Sequence, residues 1–147
     1  ITPPLTFVAP DTIVATACAP NGGRWLVATS TDGRRMWARP SAPTQVWPLL
    51  VTAPDGRRMV RETLTVSRPV DEVSPLDFDE VKSQLVEVYD VASGKQVLKA
   101  SVTPVLDGGG NVAISPSGRR VAVLDAGAIQ VYELPAPPAL TESDIKH

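Results

Sequence analysis

The chain has 147 residues, 43% of them hydrophobic, and its 14 basic and 16 acidic side chains nearly cancel in charge. This length suits one domain whose core removes about two-thirds of the unfolded surface from water. A nearly neutral chain has no strong attraction for nucleic acid or an anionic membrane, and no apolar run reaches the ~18 residues of a spanning helix. We therefore expect neither a nucleic-acid partner nor a membrane span.

Cysteine and histidine are too few for the commonest metal and catalytic sites. Cys18 is the only cysteine, and the only histidine is His147 at the chain end. Zinc needs three or four ligands, and a nucleophilic Ser or Cys needs an oriented base. The sequence therefore predicts no cofactor and no catalytic site in this chain. Cys18 lies in an apolar run, where a thiol is usually a small buried group.

The first ten residues are rich in proline, and Leu5–Ala9 is apolar enough to form a lone strand. Such a strand adds to the edge of another sheet, or else the segment is a frayed terminus, and both interpretations stay open. The chain begins at Ile1 without Met, which is typical of a processed protein or of a piece of a longer one. We leave the compartment open between the cytoplasm and a processed extracytoplasmic location.

A Pro-x-Gly turn between two short apolar runs occurs three times in the chain. Proline pre-sets φ and glycine tolerates positive φ, so each such segment favours a tight turn between strands. The last copy opens a run of three short strands, Asn111–Ser115, Arg120–Leu124 and Ala128–Leu134, which predicts a meander. The three turns are Ala19-Pro20-Asn21-Gly22, Ala53-Pro54-Asp55-Gly56 and Ser115-Pro116-Ser117-Gly118.

An aromatic residue follows each turn at a related distance and predicts the end of a third strand. Arg24 to Trp37 and Arg119 to Tyr132 are both 13 positions apart, whereas Arg57 to Tyr89 is 32. Self-similarity over a few tens of residues is typical of repeat folds, and the longer middle copy indicates an insertion. We place the repeats at about residues 11–44, 45–105 and 106–138, with 139–147 as a polar tail.

The insertion, Pro69–Lys82, is the candidate binding loop because insertions in repeat folds map to loops. It holds five carboxylates within ten residues, a composition that suits hard cations, yet it lacks the spacing of a calcium loop. A solvated acidic loop is therefore the alternative. The candidate metal ligands are Asp71, Asp77, Asp79 and Glu80, and the candidate interaction residues are Asp71, Glu72, Asp77, Phe78 and Asp79.

The predicted strands differ in their apolar patterns. Met59–Ser67 carries several polar residues, so we expect an exposed strand there. Arg24–Ser30, Leu85–Val91 and Arg120–Leu124 lack clean alternation and are nearly continuous apolar runs, which are typical of strands covered on both faces. Blades stacked around an axis cover each other's strands on both faces. A two-layer sandwich would contain fewer strands covered on both faces.

Two segments give the chain a family resemblance. Ser115-Pro116-Ser117-Gly118-Arg119 and Val88-Tyr89-Asp90-Val91-Ala92-Ser93-Gly94-Lys95 resemble the WD40-like repeat of bacterial-type β-propellers. The Gly-His dipeptide of strict WD40 repeats is missing, so the resemblance does not imply the polar network of that family. It implies an all-β fold of three- to four-stranded antiparallel meanders, arranged as about three blades of a partial propeller over residues 1–138. A β-sandwich or barrel is the alternative.

Three blades leave two sheet faces uncovered, and apolar faces of that size mark interaction surfaces. We expect a second copy of the chain, or a missing segment of a longer chain, to complete the ring. The expected function is a non-catalytic binding module with a protein or peptide partner. The alternatives are the propeller portion of a larger enzyme, such as a bacterial hydrolase or peptidase, and a calcium-dependent structural module.

Overall fold

A computed structural model describes residues 5–70, 75–103 and 110–138, and these residues form eleven strands in three antiparallel sheets. The first sheet contains β1 (Thr6–Ala9), β2 (Thr12–Cys18), β3 (Arg24–Ser30) and β4 (Arg35–Ser41). The middle sheet contains β5 (Gln45–Thr52), β6 (Arg58–Val66), β7 (Val81–Asp90) and β8 (Gln96–Val102). The last sheet contains β9 (Val112–Ile114), β10 (Arg120–Asp125) and β11 (Ala128–Glu133).

Each sheet is a meander in which strands adjacent in sequence are paired. The predicted all-β fold of three- to four-stranded antiparallel meanders, arranged like propeller blades, is confirmed. The three predicted strands of the final repeat are β9, β10 and β11. Their first turn closes with the Gly118 N–H donating to the Ser115 carbonyl at 2.9 Å, and Gly118 has a φ of 67°.

The middle sheet is covered on both faces, as the nearly continuous apolar run Leu85–Val91 predicted. The same prediction is wrong for Arg24–Ser30 and Arg120–Leu124, because no sheet among the described residues covers the outward faces of β3 and β10. Met59, Tyr89 and Val91 pack against the first sheet, and Val60, Val86 and Val88 pack against the last sheet. Burial of these side chains on both sides contributes about 25 cal/mol for each Å² of apolar surface removed from water. The two hydrophobic clusters therefore hold the three sheets together in chain order.

The prediction that Met59–Ser67 is an exposed strand is wrong. This segment is β6 in the middle of the stack, and its polar residues Arg61, Glu62 and Thr63 are at most 2% exposed. Their partners come from strands far away in sequence. A pattern of polar residues within one strand could not reveal that pairing.

The first sheet departs from the predicted repeat. The predicted lone strand is β1, which pairs with β2 at the edge of the first sheet. Gly56 belongs to the second Pro-x-Gly turn, and a Cβ on it would lie 3.4 Å from the Ala9 Cβ. The turn of the first sheet that contacts the second Pro-x-Gly turn is therefore Ala9–Thr12. The Ala19–Gly22 turn instead joins β2 to β3. Accordingly, β1 takes the place in the first sheet that β5 takes in the middle sheet.

Two further expectations about single residues need correction. Trp37 lies in the fourth strand of its sheet, β4, and stacks directly on Tyr89 with ring centroids 6.5 Å apart. The two aromatic residues are thus contact partners and not equivalents in successive repeats. Cys18 ends β2 and is exposed, because the strand runs past the edge of the hydrophobic cluster there.

Candidate functional site

The acidic insertion follows β6 and runs into the first two residues of β7, and its described part contains one 3-10 turn, Phe78–Glu80. The Glu80 carboxylate accepts a hydrogen bond from the Asp77 N–H at 3.0 Å and pairs with the Arg68 guanidinium. This arginine holds the pKa of Glu80 below its ordinary value. One candidate metal ligand is therefore already engaged by a cation of the chain itself.

The other predicted loop residues have different positions. Phe78 is 71% exposed, and Asp77 and Asp79 are exposed beside it. Asp71 and Glu72 lie outside the described residues. Within residues 5–70, 75–103 and 110–138, no three His, Cys, Asp or Glu side chains come together as a metal site would require. The described part of the loop thus presents one exposed aromatic ring, Phe78, and the exposed carboxylates of Asp77 and Asp79.

A buried polar network fills one end of the contact between the first and middle sheets. Arg61 donates to the Glu87 carboxylate at 3.2 Å and to the Ser41 hydroxyl at 2.6 Å. Gln45 lies within 3.4 Å of both Glu87 and Thr63. Because buried charges are stable only when paired and hydrogen-bonded, this network fixes how the two sheets meet. Its charged members Arg61 and Glu87 are buried, and we therefore assign the network a structural role.

A buried ion pair plays the corresponding part between the middle and last sheets. The Arg58 Nε lies 2.9 Å from the Asp90 Oδ1, and the two side chains are 1% and 6% exposed. Arg58 also donates from Nη1 to the Gly118 carbonyl of the next sheet at 2.8 Å. A Cβ on Gly118 would lie 3.1 Å from the Arg58 Cβ, so a side chain at this position would crowd Arg58. Arg58 therefore docks the turn of one sheet onto the preceding sheet.

The outward face of the first sheet is apolar. The strand register puts a set of apolar residues on the side opposite Val14, Leu26 and Trp37, which face the middle sheet. Phe7 is 62% exposed and Trp25 is 41% exposed. We name this surface the Trp25 face, and it consists of Phe7, Ile13, Ala15, Trp25 and Val27.

The outward face of the last sheet has the same character. Val121 and Val123 point toward the middle sheet, so their strand neighbours point away from it. Ile129 is 73% exposed and Val131 is 59% exposed. We name this surface the Ile129 face, and it consists of Ala113, Ala122, Leu124, Ile129 and Val131.

An ion pair on the Ile129 face repeats the buried pair of the middle sheet. Arg58 and Asp90 are direct register partners on β6 and β7, and Arg120 and Glu133 are direct register partners on β10 and β11. Both arginines come two residues after the glycine of a Pro-x-Gly turn. The Arg120 Nε lies 2.7 Å from the Glu133 Oε1, yet both side chains are 67% exposed. The last sheet therefore carries an ion pair equivalent to Arg58–Asp90, but no sheet among the described residues packs over it.

An open groove of about 370 Å³ adjoins the Trp25 face at Phe7. It lies between the β1–β2 and β5–β6 turns, where Pro10, Pro54 and Asp55 are exposed. Trp47, on β5, is half exposed and has a φ of 49°, a conformation that bulky residues rarely adopt. The groove and Trp47 extend the aromatic and apolar surface beyond the sheet faces.

Sequence reasoning predicted uncovered apolar faces but did not identify their residues. The sequences of Arg24–Ser30 and Arg120–Asp125 do indicate two apolar faces. In each strand, apolar residues occupy both sets of alternating positions, and successive side chains point to opposite faces of a sheet. The Arg120–Glu133 pair was missed, although its 13-residue separation equals the repeat distance noted for Arg119 and Tyr132. Aligning charged residues between the copies would have revealed it.

Comparison with known proteins gives little further information. No family model matches the chain, and no curated protein matches it. Among solved structures, the chain is similar to hydrazine synthase from Kuenenia stuttgartiensis, with 16% sequence identity and a TM-score of 0.47. The alignment covers 84% of this chain, which spans 37% of that one. A likeness this distant does not bear on the function of this chain. The described residues also contain no helix long and apolar enough to cross a membrane.

Proposed function

We propose that the chain is a non-catalytic interaction module of the WD40-like β-propeller type, which binds a protein partner through its outward sheet faces. The observation that carries the proposal is the exposure of large apolar side chains on both the Trp25 face and the Ile129 face. Exposed apolar patches of this kind on a folded domain mark surfaces that a partner covers. Aromatic side chains such as Trp25 supply much of the binding energy at such interfaces.

Oxidative footprinting of the chain in an extract of its native cells, compared with the purified chain diluted until it has the mass of a single chain, tests this proposal. Phe7 and Trp25 report on the Trp25 face, while Phe78 and Trp47 are matched aromatic residues elsewhere. We expect protection of Phe7 and Trp25 in the extract, with Phe78 and Trp47 reacting as before. Protection of Phe78 alone would assign binding to the acidic insertion, and unchanged labelling throughout would contradict the proposal.

A second candidate function is the propeller portion of a larger enzyme, such as a bacterial hydrolase or peptidase. The observation that favours it is the repeated ion pair Arg120–Glu133, which would dock a further blade as Arg58–Asp90 docks the last sheet. The parent reading frame separates the two candidates. A catalytic domain encoded in the same frame would favour the enzyme portion.

A further inference from the structure

We infer that the partner is a second copy of this chain, whose Trp25 face packs on the Ile129 face of the first copy. Two such contacts close a ring in which the first, middle and last sheets of each copy follow one another. The inference rests on the proposed function, since it names the partner that covers the two faces. It follows from the way the sheets already pack within one chain.

The order of the sheets within the chain continues across the proposed contact. Within the chain, the side of the middle sheet that bears Val60 and Val88 packs on Val121 and Val123 of the last sheet. By repeat equivalence, Ala122 and Leu124 of the last sheet correspond to Val60 and Glu62 of the middle sheet, since each set follows a Gly-Arg-Arg segment. The Ile129 face is thus the side on which another sheet is expected. The described residues leave one sheet side without its preceding sheet, and that side is the Trp25 face.

Arg120 has hydrogen-bond donors that the described residues leave unused. Arg58 binds Asp90 through Nε and reaches the Gly118 carbonyl of the next sheet through Nη1. Arg120 binds Glu133 through Nε in the same way, and the described residues offer its Nη groups no acceptor. We therefore assign Arg120 the task of donating to a main-chain carbonyl of the Pro10–Asp11 turn in the second copy. Neighbouring turns already meet in this manner within the chain, where the Asp55 N–H donates to the Pro116 carbonyl at 3.4 Å.

The Trp25 face and the Ile129 face also match in surface chemistry. Both faces are apolar, and the charged pair on the Ile129 face lies at its end, beside the start of β10. An apolar sheet face gains most when it packs on another apolar sheet face, because desolvating unpaired polar groups is costly. The chain supplies both complementary faces itself, so two copies satisfy each other without any other protein.

Site-specific crosslinking tests which faces meet. In a Cys18→Ser background, a Val27→Cys chain and an Ala122→Cys chain are mixed and treated with a short bis-maleimide. We expect a crosslinked pair from the mixture and none from either chain alone, because Val27 and Ala122 mark the centres of opposite faces. Crosslinks within a single variant would mean that like faces meet, and the absence of any crosslink in folded protein would also overturn the proposal.

Arginine variants test the docking element. Arg120→Ala removes a charge-assisted hydrogen bond from each of the two contacts, so we expect the dissociation constant of the pair to rise about 100-fold. Arg119→Ala is the matched control, since it removes the same charge from the adjacent exposed residue, and we expect a change of less than about threefold. Equal effects of the two variants would contradict the assigned role of Arg120. If the faces are protected in extract but purified chains fail to pair, the proposed function stands and the self-association is wrong.

Discussion

Gly94 shows how closely single residues are fitted between the first and middle sheets. Its φ is 67°, and a Cβ there would lie 2.4 Å from the Cδ2 of Trp37. The Trp37 indole donates to the Val91 carbonyl at 2.7 Å and stacks on Tyr89, so the ring has no room to move away. The glycine is therefore required both by its backbone conformation and by the neighbouring ring.

Replacing Gly94 by alanine tests this fit. We expect Gly94→Ala to lower the free energy of unfolding by about 2–4 kcal/mol, because the left-handed conformation and the clash with Trp37 act together. Gly33→Ala is the control, since Gly33 has a φ of 87° but nothing within 4 Å of its Cβ position. The control should lose only about 1 kcal/mol. Equal losses in urea unfolding would show that Trp37 is free to shift.

Glu62 is the second residue with a testable consequence. It is 2% exposed, accepts a hydrogen bond from Gln84 at 3.1 Å, and has one carboxyl oxygen for which the described residues supply no hydrogen-bond partner. Burial raises the pKa of Glu62 above its ordinary value of 4.5, although the Gly110 N–H and Gln84 partly oppose the shift. The folded chain therefore holds this proton more tightly than the unfolded chain does.

The resulting pH dependence has a definite sign. The contribution of Glu62 to stability is fully present below pH 4.5, and it is lost as the pH rises through the raised folded pKa. We expect Glu62→Gln to be more stable than the wild type at pH 7, with the difference vanishing in acid. Glu80→Gln should behave in the opposite way, because Arg68 lowers the pKa of Glu80 and its contribution is lost as the pH falls. Unfolding curves between pH 4 and pH 7 that run parallel for all three proteins would contradict this account.

At the scale of strands, the turns could be predicted from the sequence and the burial of polar strand residues could not. Proline and glycine act locally, so the strand ends around Ala53–Arg57 and Ser115–Arg119 follow from a few adjacent residues. The burial of β6 depends on Glu87, which is 26 residues from Arg61, and on Ser41, which is 20 residues away. No pattern within one strand contains that information.

The two equivalent ion pairs provide a comparison between elements. Arg58→Met leaves the Asp90 carboxylate buried without its charged partner, so we expect a loss of about 3–5 kcal/mol in unfolding free energy. Arg120→Met breaks an exposed pair, so the dilute, unpaired chain should lose less than about 1 kcal/mol. Denaturant titration at low protein concentration compares the two variants. Similar losses of unfolding free energy in the two variants would mean that Arg58 does not stabilise the packing of the last sheet on the middle sheet.

At the scale of the whole molecule, the sequence predicted about three blades but misplaced the first. The Ala19–Gly22 turn resembles the other turns in composition, yet Ala9–Thr12 is the turn that meets Gly56. Thr12 stands where the other copies have glycine. The first turn therefore lacks the Pro-x-Gly pattern that marks the equivalent turns of the other two sheets. For the candidate site, the number of repeats predicted that two faces would be open, and only the register shows that Phe7, Trp25, Ile129 and Val131 occupy them.

The native mass of the purified chain, measured by light scattering over a range of concentrations, tests the central claim most directly. The account predicts a mass of twice 15.6 kDa that falls toward 15.6 kDa on dilution. Val131→Lys should shift the protein toward the single-chain mass, because the lysine places a charge within the Ile129 face. A wild-type chain that keeps a mass of 15.6 kDa at every concentration would contradict the pairing of the two apolar faces.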